Sequence, residues 1–256
     1  MSTRHSKGPQ GSDAVTRICG YDADSISVRG RDLVADLMGE YSFTEAFLLQ
    51  ALGERPDERQ RRIVDAVLVT IMEHGLVPSA VVTRLTHYGA PESYQGAVAA
   101  GLLGVGDRYA GTASECGALL ERIVAGEAGE AERIVHEYRE VRRPLPGFGH
   151  PIHQETDPRV ARLLAIVDET GCEGRHLAAM RELEETLNRV LGKQLVTNIS
   201  AAIGAALAEA RIPSGMMRGV ILVARCAGLV GHLFEESQNP IADPMWKGAQ
   251  APISYE

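Results

Sequence analysis

Residues 147–159 read GFGHPIHQETDPR, and the interpretation of the chain starts from this stretch. Gly147 and Gly149 can take positive φ and let a ligand come close to the backbone. Asp157 is a good helix N-cap, Pro158 suits the first helical position, and Arg159 opens the periodic run RVARLLAIVDE. His150 therefore stands on a loop beside a helix N-terminus, a natural place to hold an anion. Taken alone, the same letters also describe an ordinary helix entry.

Outward from that segment the pattern is helical almost throughout. RDLVADLM, FTEAFLLQAL, ERQRRIVDAVLVTIMEHG and PSAVVTRLTHYG read as amphipathic helices separated by Gly, Pro and Asp. ESYQGAVAAGLLGVG (92–106) is small or apolar on every side, which predicts a helix buried in a core or between subunits. Further helices are expected at about 113–126, 129–142, 158–170, 176–191, 194–210 and 214–236. TRICGYDADSISVR (16–29) alternates around an acidic turn and fits a short β-hairpin. Residues 1–13 read as a mobile tail, and 239–256 hold too much Pro and Gly for a long helix.

Composition narrows the partners. The net charge is −8 with no block of like charge, which argues against nucleic acid or an anionic membrane. Aromatics are 5% of a chain that is 45% hydrophobic, a balance suited to closely packed helices. Four scattered Cys, at 19, 116, 172 and 226, lack metal-ligand spacing and read as reduced, mostly buried cytoplasmic thiols. No metal site is expected. The N-terminus lacks an apolar signal core, and the longest apolar runs, 97–105 and 219–230, are interrupted by Gly or Arg, so no membrane span is expected.

The opening segment resembles the GxGHxxxxxxDPR segment of the citrate synthase family. Four more places match that family in order: TRICGYDADSISVRGRDLVADL, MEHG with His74, GLLGVGDRYAG, and LVARCAGLVGHLFEE with Arg225. The short chain and GVGDRYAG look most like the citryl-CoA lyase module of ATP-citrate lyase and the free-standing citryl-CoA lyases. The resemblance implies an all-α, two-lobed helical fold with a short N-terminal β-hairpin. Its large lobe would span 14–111 and 206–256, and a small CoA-side lobe would span 112–205. It implies a homodimer or higher homo-oligomer. It also implies a carbon–carbon lyase that cleaves a 3-hydroxy-3-carboxyacyl-CoA to an acyl-CoA and a keto acid. Coenzyme A would enter as an ester substrate or product, with no permanently bound cofactor.

The implied site follows residue by residue. His74, His150, Arg159 and Arg225 would surround the keto-acid half, since carboxylates suit the Arg fork. His150 would face the oxygen whose charge changes. The Leu145, Pro146, Gly147, Phe148, Gly149 loop would lie along the CoA. Arg108 is open between substrate binding and pairing with Asp107. His74 also suits a helix C-terminus, Arg225 suits a structural acid, His153 reads as a solvated loop residue and His232 as structural.

Three departures stand out. Tyr109 occupies a position where citrate synthases carry a His, although the lyase module also has an aromatic there. Pro151 replaces an Arg or small residue. Most seriously, Ser200 in QLVTNISAAIGAAL stands where the family has its catalytic Asp, and no Asp or Glu occurs between Glu185 and Glu209. Ser200 is a poor carboxylate substitute near neutral pH. Asn198 and Ser200 retain hydrogen bonds for a thioester oxygen. Glu73, Glu155 or Glu235 could supply the carboxylate from elsewhere. The other outcomes are condensation, a different hydroxyacyl-CoA, or a catalytically impaired acyl-CoA-binding protein.

Overall fold

The computed structural model describes residues 15–107, 111–149 and 157–254. Its contacts divide the chain into two units, Met1–Asp57 and Glu58–Glu256.

In the first unit the expected hairpin gains a third strand. β1 (Cys19–Tyr21), β2 (Ile26–Val28) and β3 (Arg31–Asp32) form an antiparallel sheet in sequence order, with Cys19 opposite Val28. Asp22 builds the acidic turn by accepting from the Asp24 and Ser25 amides at 2.9 and 2.8 Å. RDLVADLM does not form the expected amphipathic α-helix. It makes one π-helical turn, Leu33–Leu37, capped by Asp32 and followed by Gly39 at φ 84°. α1 (Phe43–Leu52) opens on a Ser42–Glu45 capping box. Its last carbonyls receive a cation, Arg29 Nε donating to Gln50 O at 2.8 Å.

The regular elements of the second unit, among the described residues, are helices: α2 (Glu58–Met72), α3 (Pro78–Gly89), α4 (Tyr94–Leu103), α5 (Thr112–Ala125), α6 (Glu130–Glu140), α7 (Pro158–Glu169), α8 (Arg175–Leu191), α9 (Ile199–Glu209), α10 (Ser214–Gln238) and α11 (Ala242–Gln250). α9 lies at the centre, packed by α5, α8, α7, α2 and α10. Its ISAAIGAALAE sequence has no polar face, and Ala201, Ala202, Ala205, Ala206 and Leu207 are wholly buried.

Several expectations need correction. The helix expected from 194 begins at Ile199, because residues 196–198 run extended against the glycine loop. The C-terminal segment does form a helix, the nine-residue α11. α4 is partly covered in the single chain, with Ala97 and Gly101 buried and Leu103 86% exposed, which does not contradict the expected burial between subunits. Of the cysteines only Cys116 is buried, and burial pushes its thiol up to about 12. The 25-residue α10 is long and apolar enough to cross a membrane by length and composition, contrary to the expectation of no span. Here it packs on α2, α3, α4 and α5 and buries Arg225 along its length, as a core helix does.

α10 approaches the end of α2 at Gly228, where an added Cβ would lie 2.1 Å from Met72 O. Gly228→Ala is therefore expected to push the end of α2 away and to cost about 1–3 kcal/mol, as overpacking does. Urea unfolding of the variant measures this, and a midpoint equal to wild type would refute the close approach.

Candidate functional site: a clamped glycine loop and a buried arginine

The glycine loop is fixed by pairing with the approach to α9. Gly149 N donates to Val196 O at 2.8 Å and Asn198 N to Gly147 O at 2.9 Å, with Phe148 bridged to Thr197. Asn198 then joins both pieces to the helix. Its Nδ2 donates to Gly149 O at 2.8 Å, and its Oδ1 accepts from Ser200 N at 2.9 Å as the N-cap of α9. Gly147 has φ 90°, and a Cβ there would lie 2.6 Å from the Ala201 Cβ, so only glycine seats the loop this closely. Leu145, Pro146, Gly147 and Phe148 are buried and Gly149 is half-buried.

Ser200 is the second residue of α9, and its Oγ accepts from Thr112 Oγ1 at 3.0 Å. Thr112 opens α5. Two hydroxyls from two helix starts therefore meet beside the glycine loop. The sequence offers no signal for Thr112, because the pairing depends on how α5 crosses α9.

A cleft of about 430 Å³ opens on the outer side of the loop. Arg139, Arg142 and Arg143 line it with Leu145, Phe148 and Leu191. Arg143 also pairs with Glu115 at 2.9 Å.

A second group forms where α2 ends. Arg225, 5% exposed, donates Nη1 to Met72 O at 2.9 Å and Nη2 to Ser79 Oγ at 3.1 Å. A cation thus closes a helix C-terminus. Burial lowers its pKa below the usual guanidinium value, and the charge of Glu73 opposes that. The exposed His74 follows, its N–H donating to Glu73 Oε1 at 2.9 Å. Glu73 Oε2 lies 3.0 Å from His232 Nε2. Burial works to raise the Glu73 carboxyl, but His232, the His74 N–H and Arg225 together hold it below the ordinary range.

His232 leads inward to Arg84. Arg84 Nε donates to His232 Nδ1 at 3.0 Å, which assigns the ring proton to Nε2, on the Glu73 side. Arg84 is 1% exposed and pairs with Glu235 and, at 2.6 Å, with Glu236. Glu236 also accepts from Ile241 N and Ala242 N at the start of α11. Arg84 has only a helix-face signal in the sequence, beside Ala80 and Thr83.

Arg159 forms a fork with Asp157, Nε to Oδ1 at 3.1 Å and Nη2 to Oδ2 at 2.8 Å. Its guanidinium is thus already paired to the N-cap of its own helix. His150, Pro151, His153, Glu155, Arg108 and Tyr109 lie outside the described residues. The structure brings Asn198, Ser200 and the Leu145–Gly149 loop together, and separately gathers His74 with Arg225. α7, which carries Arg159, packs on α9.

With this geometry, known proteins can be compared. The family model of the citrate synthase C-terminal domain matches residues 16–245. The chain belongs to the citrate synthase family. The structure of citryl-CoA lyase from Hydrogenobacter thermophilus superposes with a TM-score of 0.81 at 33% identity, covering 89% of this chain and 88% of that one. ATP citrate lyase from Methanothrix soehngenii, solved with citrate and coenzyme A, gives 0.79 at 18% identity over 97% of this chain and 42% of that one, a likeness of fold. A putative citrate synthase 2 of Mycobacterium tuberculosis is 27% identical over 224 residues, 83% of this chain. The chain spans 58% of the length of that relative.

The Arg84 group makes a pH prediction. Burial alone would raise Glu236, yet Arg84 and two backbone N–H groups hold its carboxyl below its usual 4.5. A depressed acid stabilises the fold above its unfolded pKa and loses that contribution as pH falls through the folded value. Resistance to urea should therefore decline below pH 4.5, with Glu73 acting in the same direction. Glu236→Gln should cost about 3–5 kcal/mol at neutral pH, since a buried pair is broken, and should flatten the acid decline. An acid profile unchanged in the variant would refute this.

Proposed function

We propose that this chain is a carbon–carbon bond enzyme acting at the bond between the α-carbon of an acyl-CoA and the carbonyl carbon of a keto acid. Cleavage of citryl-CoA or an analogue is the reference reaction. The observation that carries this reading is the clamped Gly147–Gly149 loop, beside a cleft that offers three guanidinium groups and a leucine floor. That combination suits the phosphates and adenine of coenzyme A. The 33% identity with a citryl-CoA lyase over most of both chains supports it.

The roles follow from the chemistry. In cleavage, the tertiary hydroxyl gives up its proton, the bond to the α-carbon breaks, its electron pair forms the thioester enolate, and the enolate carbon takes up a proton to give the acyl-CoA. His150 acts as acid or base at the oxygen that becomes the keto carbonyl. His74 and Arg225 serve the keto-acid carboxylates from the end of α2, and Arg159 serves from the start of α7. Asn198 holds the loop along which CoA lies. Arg108 belongs to the substrate side. The CoA-side lobe runs from 112 to 205, and the enzyme works in the cytoplasm.

Calorimetry with acetyl-CoA and a citryl-CoA cleavage assay test the reading together. The wild type is expected to bind the CoA ester and cleave citryl-CoA slowly. His150→Ala should keep CoA binding and lose cleavage by at least about 100-fold, the lower end of acid–base effects. Failure of the wild type to bind any CoA ester would overturn the proposal.

A homodimer belongs to the same reading. Tyr94 and Leu103 of α4 and Val230 and Phe234 of α10 are exposed apolar residues, and Tyr94 OH reaches Val230 O at 3.2 Å, so the two helices share one face. Sedimentation should show a dimer burying about 2,000 Å² or more in total. A stable monomer at micromolar concentration would rule it out.

The second reading, an impaired acyl-CoA-binding protein, is favoured by one fact. No carboxylate occurs from residue 186 to 208, around the start of α9.

A further inference from the structure

We infer that the natural acyl-CoA carries its own carboxylate on the α-carbon, as a malonyl-type thioester does, and that the enolate forms by loss of CO2 rather than by removal of a proton. This rests on the reading above, that the site handles a thioester enolate.

The argument begins with what a base at Ser200 would have to do. Removing a proton from a carbon beside a thioester needs an acceptor such as a carboxylate. Ser200 is a neutral hydroxyl, and its Oγ already accepts the Thr112 hydroxyl at 3.0 Å. Its backbone N–H is committed to Asn198 Oδ1. The next residues, Ala201 and Ala202, are wholly buried and apolar. α9 has no acid before Glu209, which lies at its far end and caps α8 through the Gly174 and His176 amides. The nearest acid in sequence on α5 is Glu115, which is held by the Tyr138 hydroxyl and Arg143. Among the described residues, no carboxylate contacts Ser200.

The rest of the site keeps what an enolate reaction needs, apart from the base. The loop clamp and the arginine-lined cleft remain for the thioester. Buried Arg225 remains beside His74. Among the described residues, only the step that makes the carbanion lacks a protein group.

Loss of CO2 supplies that step. Proton removal and decarboxylation are the same heterolysis at the α-carbon, differing only in what departs. The bond that breaks must stand perpendicular to the thioester plane, on the face where a base would stand. Ser places a neutral hydroxyl where Asp would place a carboxylate, so Ser200 sets no negative charge against a substrate carboxylate. The Ser200–Thr112 pair offers it neutral hydrogen bonds. A protein carboxylate there would repel it, and a paired guanidinium would hold its charge in place and oppose its loss.

The reaction balances. The bond between the α-carbon and the carboxylate carbon breaks, CO2 leaves, and the electron pair becomes the enolate. The enolate carbon attacks the keto carbonyl and forms the new C–C bond. The resulting alkoxide takes one proton. The sum is α-carboxyacyl-CoA plus keto acid plus one proton, giving CO2 and a 3-hydroxy-3-carboxyacyl-CoA. Departure of CO2 makes condensation the favoured direction with this substrate class.

The test uses the full chain with oxaloacetate and either malonyl-CoA or acetyl-CoA. Release of labelled CO2 from carboxyl-labelled malonyl-CoA is followed together with citryl-CoA and citrate by mass spectrometry. Malonyl-CoA is expected to condense at least about 100-fold faster than acetyl-CoA, the lower end of what a missing base costs. CO2 release should match product one to one. Ser200→Asp should slow malonyl-CoA and speed acetyl-CoA, reversing the order. Ser200→Ala adds no charge; it should lower the rate and keep malonyl-CoA ahead, which serves if the Asp variant does not fold. Faster use of acetyl-CoA by the wild type overturns the inference, as does binding of malonyl-CoA without decarboxylation; in both cases the reading as a CoA-ester enzyme stands. Failure to bind either CoA ester removes both.

Discussion

A helix with no polar face can be satisfied only at the centre of a fold, and α9 imposes that constraint here. Five helices pack around it, and its alanines and glycine let α5 come close. Such a helix keeps its hydrogen-bonding needs at its ends, where the first N–H groups lack intrahelical partners. At the N-terminal end Asn198 answers part of that need and, with the same side chain, captures the Gly149 carbonyl. The loop that carries the sequence signature is therefore positioned by the capping requirement of the most buried helix. The site lies where the core runs out of apolar partners.

The rest of the polar interior follows a similar rule. Arg225 and Arg84 are both buried on the apolar side of long helices, and each is satisfied by groups from another helix. Arg225 closes the carbonyl end of α2. Arg84 is surrounded by Glu235, Glu236 and His232. His232 joins the two systems, because its other nitrogen faces Glu73, which holds the His74 amide. The turn bearing His74 is thus anchored to the interior of α10 rather than to a surface loop.

What the sequence revealed follows from which interactions are local. α3 runs from Pro78 to Gly89 and α7 begins at Pro158, as their punctuation and capping residues indicate. The glycine loop, Asn198 and Ser200 stand out by their order along the chain, and they meet in space. What failed was non-local. Gln194–Thr197 continue an apolar run and read as helix, yet Val196 and Thr197 pair across the sequence with Gly149 and Phe148. Thr112 and Arg84 carry no local mark, since their partners lie 88 and 148 or more residues away. The apolar density of α10, which satisfies the criteria for a membrane span, serves here for packing on neighbouring helices.

The charges bear on what a substrate must bring. Arg225 spends its donors on Met72 O and Ser79 Oγ, and Arg159 spends its fork on Asp157. A carboxylate entering either place meets a cation that already has partners. It can share that charge without neutralising a lone buried one, so binding there avoids the large penalty of an empty pocket with an unpaired guanidinium. In the proposed function, substrate carboxylates would therefore be held by geometry more than by relief of strain. Around Ser200 the balance is different, because the groups present are neutral hydroxyls and alanines. In the decarboxylative reaction we infer, a ligand carboxylate there would be oriented while staying charged and reactive, which would set that step at the hydroxyl pair rather than at either arginine.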